Sequence, residues 1–247
     1  MKDYIGTGDL AIWISLIVGR LFLCLLVFKK NLFNRVPWFS LYILVSSSES
    51  ILLFALAFFS SYATYYYVFY LTNHIVSLLA FLTLIESGRR ILPGLNLPQK
   101  EKALALLLAA LAGVMIFAIY WPMRYVEKRI DLAAYFAIAT GFIFVAAYSR
   151  YLGLYWSRFL AGISSALGLL YLAQGSTRAI TGHFPISVAL LARQANQLAN
   201  VLAVIAWIVV VLSPWGESVM TEEDLQTLEV AFAKIEDSLG AERVKSL

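Results

Sequence analysis

The sequence predicts an all-α polytopic membrane protein, a seven-transmembrane-helix bundle with a short cytoplasmic C-terminal amphipathic helix. Two observations carry this. Hydrophobic residues make up 61% of the 247 and charged residues only 14%, against about 25% charged in an ordinary soluble domain; mean hydropathy is +0.79. The apolar residues also gather into seven runs of roughly 19–28 residues, each long enough at about 1.5 Å per residue to cross a hydrocarbon core of about 30 Å.

The spans fall near 10–28, 38–60, 66–88, 102–121, 131–149, 157–176 and 185–213. They divide the chain into a membrane domain (1–216) and an acidic tail (217–247). The first run ends in Lys29-Lys30 with no small-residue cleavage site after it, so it reads as a retained helix and not as a signal peptide. Short connections make successive helices antiparallel neighbours. Ala105/Ala109/Gly113 in span four and Ala133/Ala137/Gly141 in span five are small residues at i, i+4, i+8, a spacing that lets helix backbones approach closely in lipid. Span six turns polar at Tyr171, Gln174, Ser176 and Thr177, as expected of a helix end that borders a cavity.

Charge sets the orientation. Residues 1–216 carry sixteen Lys/Arg against seven Asp/Glu, and residues 217–247 carry three against eight. Nine of the basic residues lie in or beside the loops at 29–37, 89–101 and 150–156, and five lie on the opposite side. The positive-inside rule then places the N-terminus outside and the tail in the cytoplasm of a bacterial inner membrane. A basic balance of this origin reflects loops facing anionic lipid and gives no reason to expect nucleic-acid binding. In the tail, Thr221 precedes Glu222-Glu223-Asp224 as an N-cap with acids in the first turn. Leu225, Leu228, Phe232, Ile235 and Leu239 follow as a heptad seam about two repeats long, expected to lie against the cytoplasmic loops or to pair with a partner or a second copy.

Span seven is the most polar. Arg193, Asn196, Gln197 and Asn200 recur at i, i+3, i+4, i+7 and so share one helix face, which should look into the bundle because polar groups at this depth need partners. Glu49 sits near the middle of span two, where a carboxylate is expected to take up a proton or find a cation. Arg20 and Arg193, each about 12 Å from a span edge by residue count, are the two candidates. His74 lies at the depth of Arg193, with Asn73 beside it. Glu49, His74, Arg193, Asn196, Gln197 and Asn200, with Arg20, are therefore the candidate site residues. Three readings fit them: an internal clasp of salt bridge and amides, a small-ligand site open to the outside, or a proton relay through Glu49 and His74.

Several chemistries are excluded. The single cysteine, Cys24, and two histidines form no zinc set. No lysine occurs between 129 and 233, so span seven holds no retinal Schiff base. His183, beside Pro185, reads as a loop residue, which disfavours haem ligation with His74. There is no HExxH, GxSxG, Walker loop or dinucleotide fingerprint. No metal, cofactor or catalytic residue is expected, and the serines at 46–48 read as packing residues.

Val36-Pro37-Trp38-Phe39, the aromatic run Tyr65 to Tyr70, Ile85-Glu86, Tyr151 to Trp156, and Asn200 with Trp207 and Pro214 resemble a family of uncharacterised bacterial seven-helix integral membrane proteins. The resemblance implies the topology and no activity. Its members often carry an acidic residue where this chain has Asn73-His74.

The functional expectation is a non-enzymatic sensor or receptor-like bundle, with an outward-facing polar pocket and a tail that passes a signal or contacts a partner. The alternative is a small-solute or proton-coupled transporter using Glu49, His74 and Arg193, although the sequence has no internal repeat or Gly/Pro-broken pair of spans. A lipid-acting enzyme ranks last, for want of a nucleophile–base pair.

Overall fold

The computed structural model describes residues 7–91, 107–108, 111–114, 116, 120, 126–151, 157–181, 184–213, 226 and 230. Among them there is no strand, and the helices are α1 (Thr7–Lys29), α2 (Leu32–Arg35), α3 (Pro37–Phe59), α4 (Tyr62–Ile91), α5 (Val126–Tyr151), α6 (Ser157–Ile180) and α7 (Ile186–Leu212). All but α2 are long and apolar enough to cross a membrane, giving six candidate spans. They coincide with predicted spans one to three and five to seven. Most of the predicted span at 102–121 lies outside the described residues, and its positions 107–108, 111–114, 116 and 120 are helical. Apart from 226 and 230, both helical, the tail with Leu225, Leu228, Phe232, Ile235 and Leu239 also lies outside them, as does His183.

The short α2 was not expected from the sequence. Asn31 adopts φ 51°, ψ 41°, a left-handed conformation that asparagine tolerates, and so turns the chain from α1 into α2. Pro37 then occupies the first turn of α3, where its missing N–H is no loss. Val36 has no side-chain acceptor for the exposed amides of α3. Glu86 supplies one from α4: its Oε2 accepts from Trp38 N at 3.1 Å and Phe39 N at 3.3 Å. Its Oε1 accepts from Arg90 Nη2 at 3.2 Å, and Arg90 also donates to the Arg35 carbonyl. A buried carboxylate thus caps a neighbouring helix, its negative charge at the positive end of the helix dipole, and locks α2, α3 and α4 into one corner.

The six spans close a ring in which α1 packs on α3, α3 on α4, α4 on α5, α5 on α6, α6 on α7, and α7 back on α1. Helix directions follow from paired residues. Trp38 meets Glu86 and Glu49 meets Thr72, so α3 and α4 are antiparallel. By contrast Tyr70 meets Asp131, Asn73 meets Tyr135 and Leu84 meets Gly141, so α4 and α5 run parallel. Small residues set the closest approaches. A Cβ at Gly168 would stand 3.0 Å from Ile143 Cγ1 and 3.3 Å from its backbone N, so α5 and α6 touch nearly backbone to backbone. Gly141 likewise admits Leu84 of α4. At Gly113 nothing lies within 4 Å of a would-be Cβ among the described residues, and Ala105 and Ala109 of the same stripe lie outside them.

Packing is uneven along the ring axis. At the end formed by the C-termini of α1, α4, α5 and α7 and the N-termini of α3 and α6, Trp207, Tyr42, Phe39, Phe142 and Phe159 are fully buried in one continuous core. Trp207 is the hub, edge-on to Phe39 at 6.0 Å and to Tyr42 at 5.9 Å. The outward faces are apolar and exposed, including Val18, Leu25, Leu78, Leu191, Ile205 and Val209. Such a continuous apolar jacket is what a lipid solvent demands.

Candidate functional site

At the other end the ring is not filled. A cavity of about 540 Å³ opens there, and all six spans contribute to its wall. Its floor is Arg20, on α1. Arg20 Nη1 donates to the Ser46 carbonyl at 2.9 Å and to Ser50 Oγ, and Nη2 donates to Asn200 Oδ1 at 3.2 Å, which ties α1, α3 and α7 together. Asn200 Nδ2 in turn donates to the Asn196 carbonyl at 2.9 Å. The serines of α3 return their hydroxyls to their own helix, as in Ser50 to Ser46 O at 2.8 Å and Ser47 to Ile43 O at 2.6 Å, which satisfies them without water. Cys24 Sγ donates to Ser47 Oγ at 3.2 Å and is buried away from the cavity, a packing role.

Above the floor stand two kinds of wall. Trp13, Tyr65, Tyr66 and Phe69 form an aromatic side, and Asn73, Gln174, Asn196 and Gln197 an amide side. Arg193 lies at the exposed rim with no hydrogen bond or ion pair among the described residues. Asn196 Oδ1 is buried with no donor to it among the described residues. Trp207 Nε1, in the packed end, is also without a partner, and nothing around it accounts for that.

Of the candidate residues, Arg20, Glu49, Arg193, Asn196, Gln197 and Asn200 all line this one cavity. The polar face of α7 therefore does look inward, while Gln194 of the same helix is exposed. Two expectations change. Glu49 pairs with neither arginine among the described residues; Thr72 Oγ1 donates to its Oε1 at 2.8 Å, while Arg20 directs Nη1 and Nη2 to neutral acceptors and its Nε is buried without a partner among them. His74 has the expected depth but the wrong rotation: its side chain is 53% exposed and does not line the cavity. Its Nδ1 donates to the Tyr70 carbonyl at 2.6 Å, and Nε2 lies 3.8 Å from Asp131. Among the described residues no hydrogen bond connects Glu49 with His74.

A second charged set was missed. Asp131 Oδ2 accepts from Arg178 Nη1 at 2.9 Å and from Tyr70 Oη at 3.0 Å. Arg178 Nη2 donates to Tyr135 Oη at 3.1 Å, and that hydroxyl donates to Asn73 Oδ1 at 2.9 Å. The guanidinium also lies 4.7 Å above the Tyr135 ring, a cation–π contact. This network of charge-assisted bonds joins α4, α5 and α6 and forms one side of the cavity through Arg178, Tyr70, Asn73 and Tyr135. Its signal was in the sequence: Asp131 and Arg178 stand about equally far from the turn between α5 and α6, so an antiparallel pair brings them level.

Among the described residues no group of three His, Cys, Asp or Glu is arranged to hold a metal ion. Among the described residues the hydroxyls of Thr72 and Tyr70 donate to the carboxylates of Glu49 and Asp131, contacts that hold the side chains in place, and no Ser or Cys there donates to a His, Asp or Glu in the arrangement of an activated nucleophile. The arrangement is suited to holding a molecule in place. Comparison of the chain with protein-family models, curated proteins and solved structures finds no match.

Proposed function

We propose that this chain is a seven-span protein of a bacterial inner membrane that binds a small ligand in the cavity, from the outside, and signals or contacts a partner through the cytoplasmic 217–247 helix. The observation that carries the reading is the cavity itself. A clasp of polar residues evolved only for packing closes on itself, whereas here about 540 Å³ remains between six helices, within the roughly 300–1,000 Å³ of small-molecule sites. The parallel run of α4 and α5 supports the seventh span: residues 92–125 have to return across the membrane for α5 to start at the same side as α4, in keeping with a crossing at 102–121. The basic loops support the orientation, since they flank the packed end and leave the cavity end outside. The carrier alternative draws less support, because the six described spans are continuous helices and transport sites of that kind use broken ones.

Native mass spectrometry of the purified full chain in lipid nanodiscs tests the reading. Wild type is expected to carry a bound species that Arg193→Ala loses while remaining folded. If no species is bound and the variant unfolds, the residues are a clasp and the proposal fails.

A further inference from the structure

We infer that the ligand of this cavity is an organic oxyanion, a carboxylate, phosphate or sulfonate, that also carries a hydrogen-bond donor; this rests on the ligand-binding reading above and names its chemical class. Charge balance is the main argument. Among the described lining residues there are three guanidiniums, Arg20, Arg178 and Arg193, and one carboxylate, Glu49. Asp131 answers Arg178. Among the described residues the hydrogen bonds of Arg20 go only to a carbonyl, a hydroxyl and an amide oxygen, and no hydrogen bond of Arg193 is seen. Counted over the described residues, the cavity keeps one cation in excess of the carboxylates, Arg193 at its rim, where low-dielectric walls focus the field toward an entering anion. Guanidinium forks fit oxyanions in a bidentate manner.

A second observation is independent of charge. The amide side chains of Gln174 and Asn196 line the cavity, and an amide offers both an acceptor and donors to a ligand hydroxyl or N–H. The rings of Trp13, Tyr65 and Phe69 line the cavity, with Tyr65 and Phe69 parallel to each other, and offer an apolar surface to a ring portion of the ligand.

Charge-selective labelling tests the inference without knowing the molecule. In a Cys24→Ser background, Asn196→Cys within the cavity and Tyr66→Cys at its rim are each reacted in nanodiscs with an anionic reagent, sulfonatoethyl methanethiosulfonate, and its trimethylammonium counterpart. Rates are divided by those of a free thiol. The anionic reagent is expected to be favoured by about tenfold, the effect of one excess charge in a partly desolvated site. Arg193→Gln should bring the ratio close to one, and Glu49→Gln should raise it. A ratio of one or below in wild type overturns the oxyanion while the cavity reading stands. If neither cysteine reacts with either reagent, the cavity is closed and both fall. Labelling repeated with benzoate, with inorganic phosphate, and in phosphatidylglycerol against phosphatidylcholine nanodiscs identifies the source: protection by the soluble anions marks a free ligand, and protection by phosphatidylglycerol alone marks a lipid headgroup. Protection by none of them, with no anionic preference at either cysteine, contradicts the assignment.

Discussion

The two halves of the bundle are built on opposite rules. In the packed half, helices meet through glycines and interlocked aromatic rings, the buried polar side chains are mainly small hydroxyls such as Ser40 and Thr83 bonded to their own helix, and Glu86, the buried carboxylate among the described residues, is consumed by helix amides and Arg90. In the cavity half, the same six helices meet through guanidiniums, amides and tyrosine hydroxyls, and a space remains between them. Lipid is as apolar as leucine, so burying leucine against leucine gains little in a membrane; van der Waals packing and satisfied hydrogen bonds hold helices together instead. The first half therefore sustains the fold, and the second is free to serve a ligand.

This contrast orders the expected effects of mutation, measured as equilibrium unfolding free energies in mixed micelles. Trp207→Ala empties the hub of the packed half and should cost about 3–5 kcal/mol. Trp207→Phe keeps the ring and discards the unpartnered indole N–H, and should cost under about 1.5 kcal/mol; a large loss there would show that the indole nitrogen is bonded after all. Glu86→Ala strips the α3 amides of their acceptor, at about 1–3 kcal/mol, and Glu86→Gln, which retains a carbonyl oxygen, should restore much of it. Asp131→Asn removes the partner of Arg178; both side chains keep contact with solvent (15% and 29% exposed), so about 1 kcal/mol is expected. Arg193→Gln should fall within about 0.5 kcal/mol while abolishing the bound species. A larger cost at Arg193 than at Trp207 would invert the comparison.

How much of this was legible in the sequence differs between the halves for a physical reason. Six spans were readable because lipid selects long apolar runs. Their ends were placed short: α4 begins at Tyr62 and α6 continues to Ile180, since a helix does not stop where hydropathy falls. Residue counting gives depth, and depth was enough to bring Arg20, Glu49 and the α7 face into one cavity. It does not give the rotation of a helix, which is why His74, at the right level, points elsewhere and why Glu49 takes Thr72 in place of an arginine. The Asp131–Arg178 pair was passed over because both sit near helix ends, where charges are expected anyway; comparing their distances from the shared turn would have found it. The Glu86 cap was out of reach, since it requires knowing which helix end a carboxylate faces. The small-residue stripe of α5 does pack, at Gly141.

The central claim is that one end of the ring is open to water and the other sealed. Its most direct test is a cysteine scan along α7 in a Cys24→Ser background, with a membrane-impermeant maleimide applied from the N-terminal side. Arg193→Cys, Asn196→Cys and Asn200→Cys should react, and Ala203→Cys, Trp207→Cys and Val210→Cys should not, so that reactivity ends within one helical turn below the Arg20 floor. Unreactive thiols at 196 and 200, or labelling that runs on to 207, would contradict it.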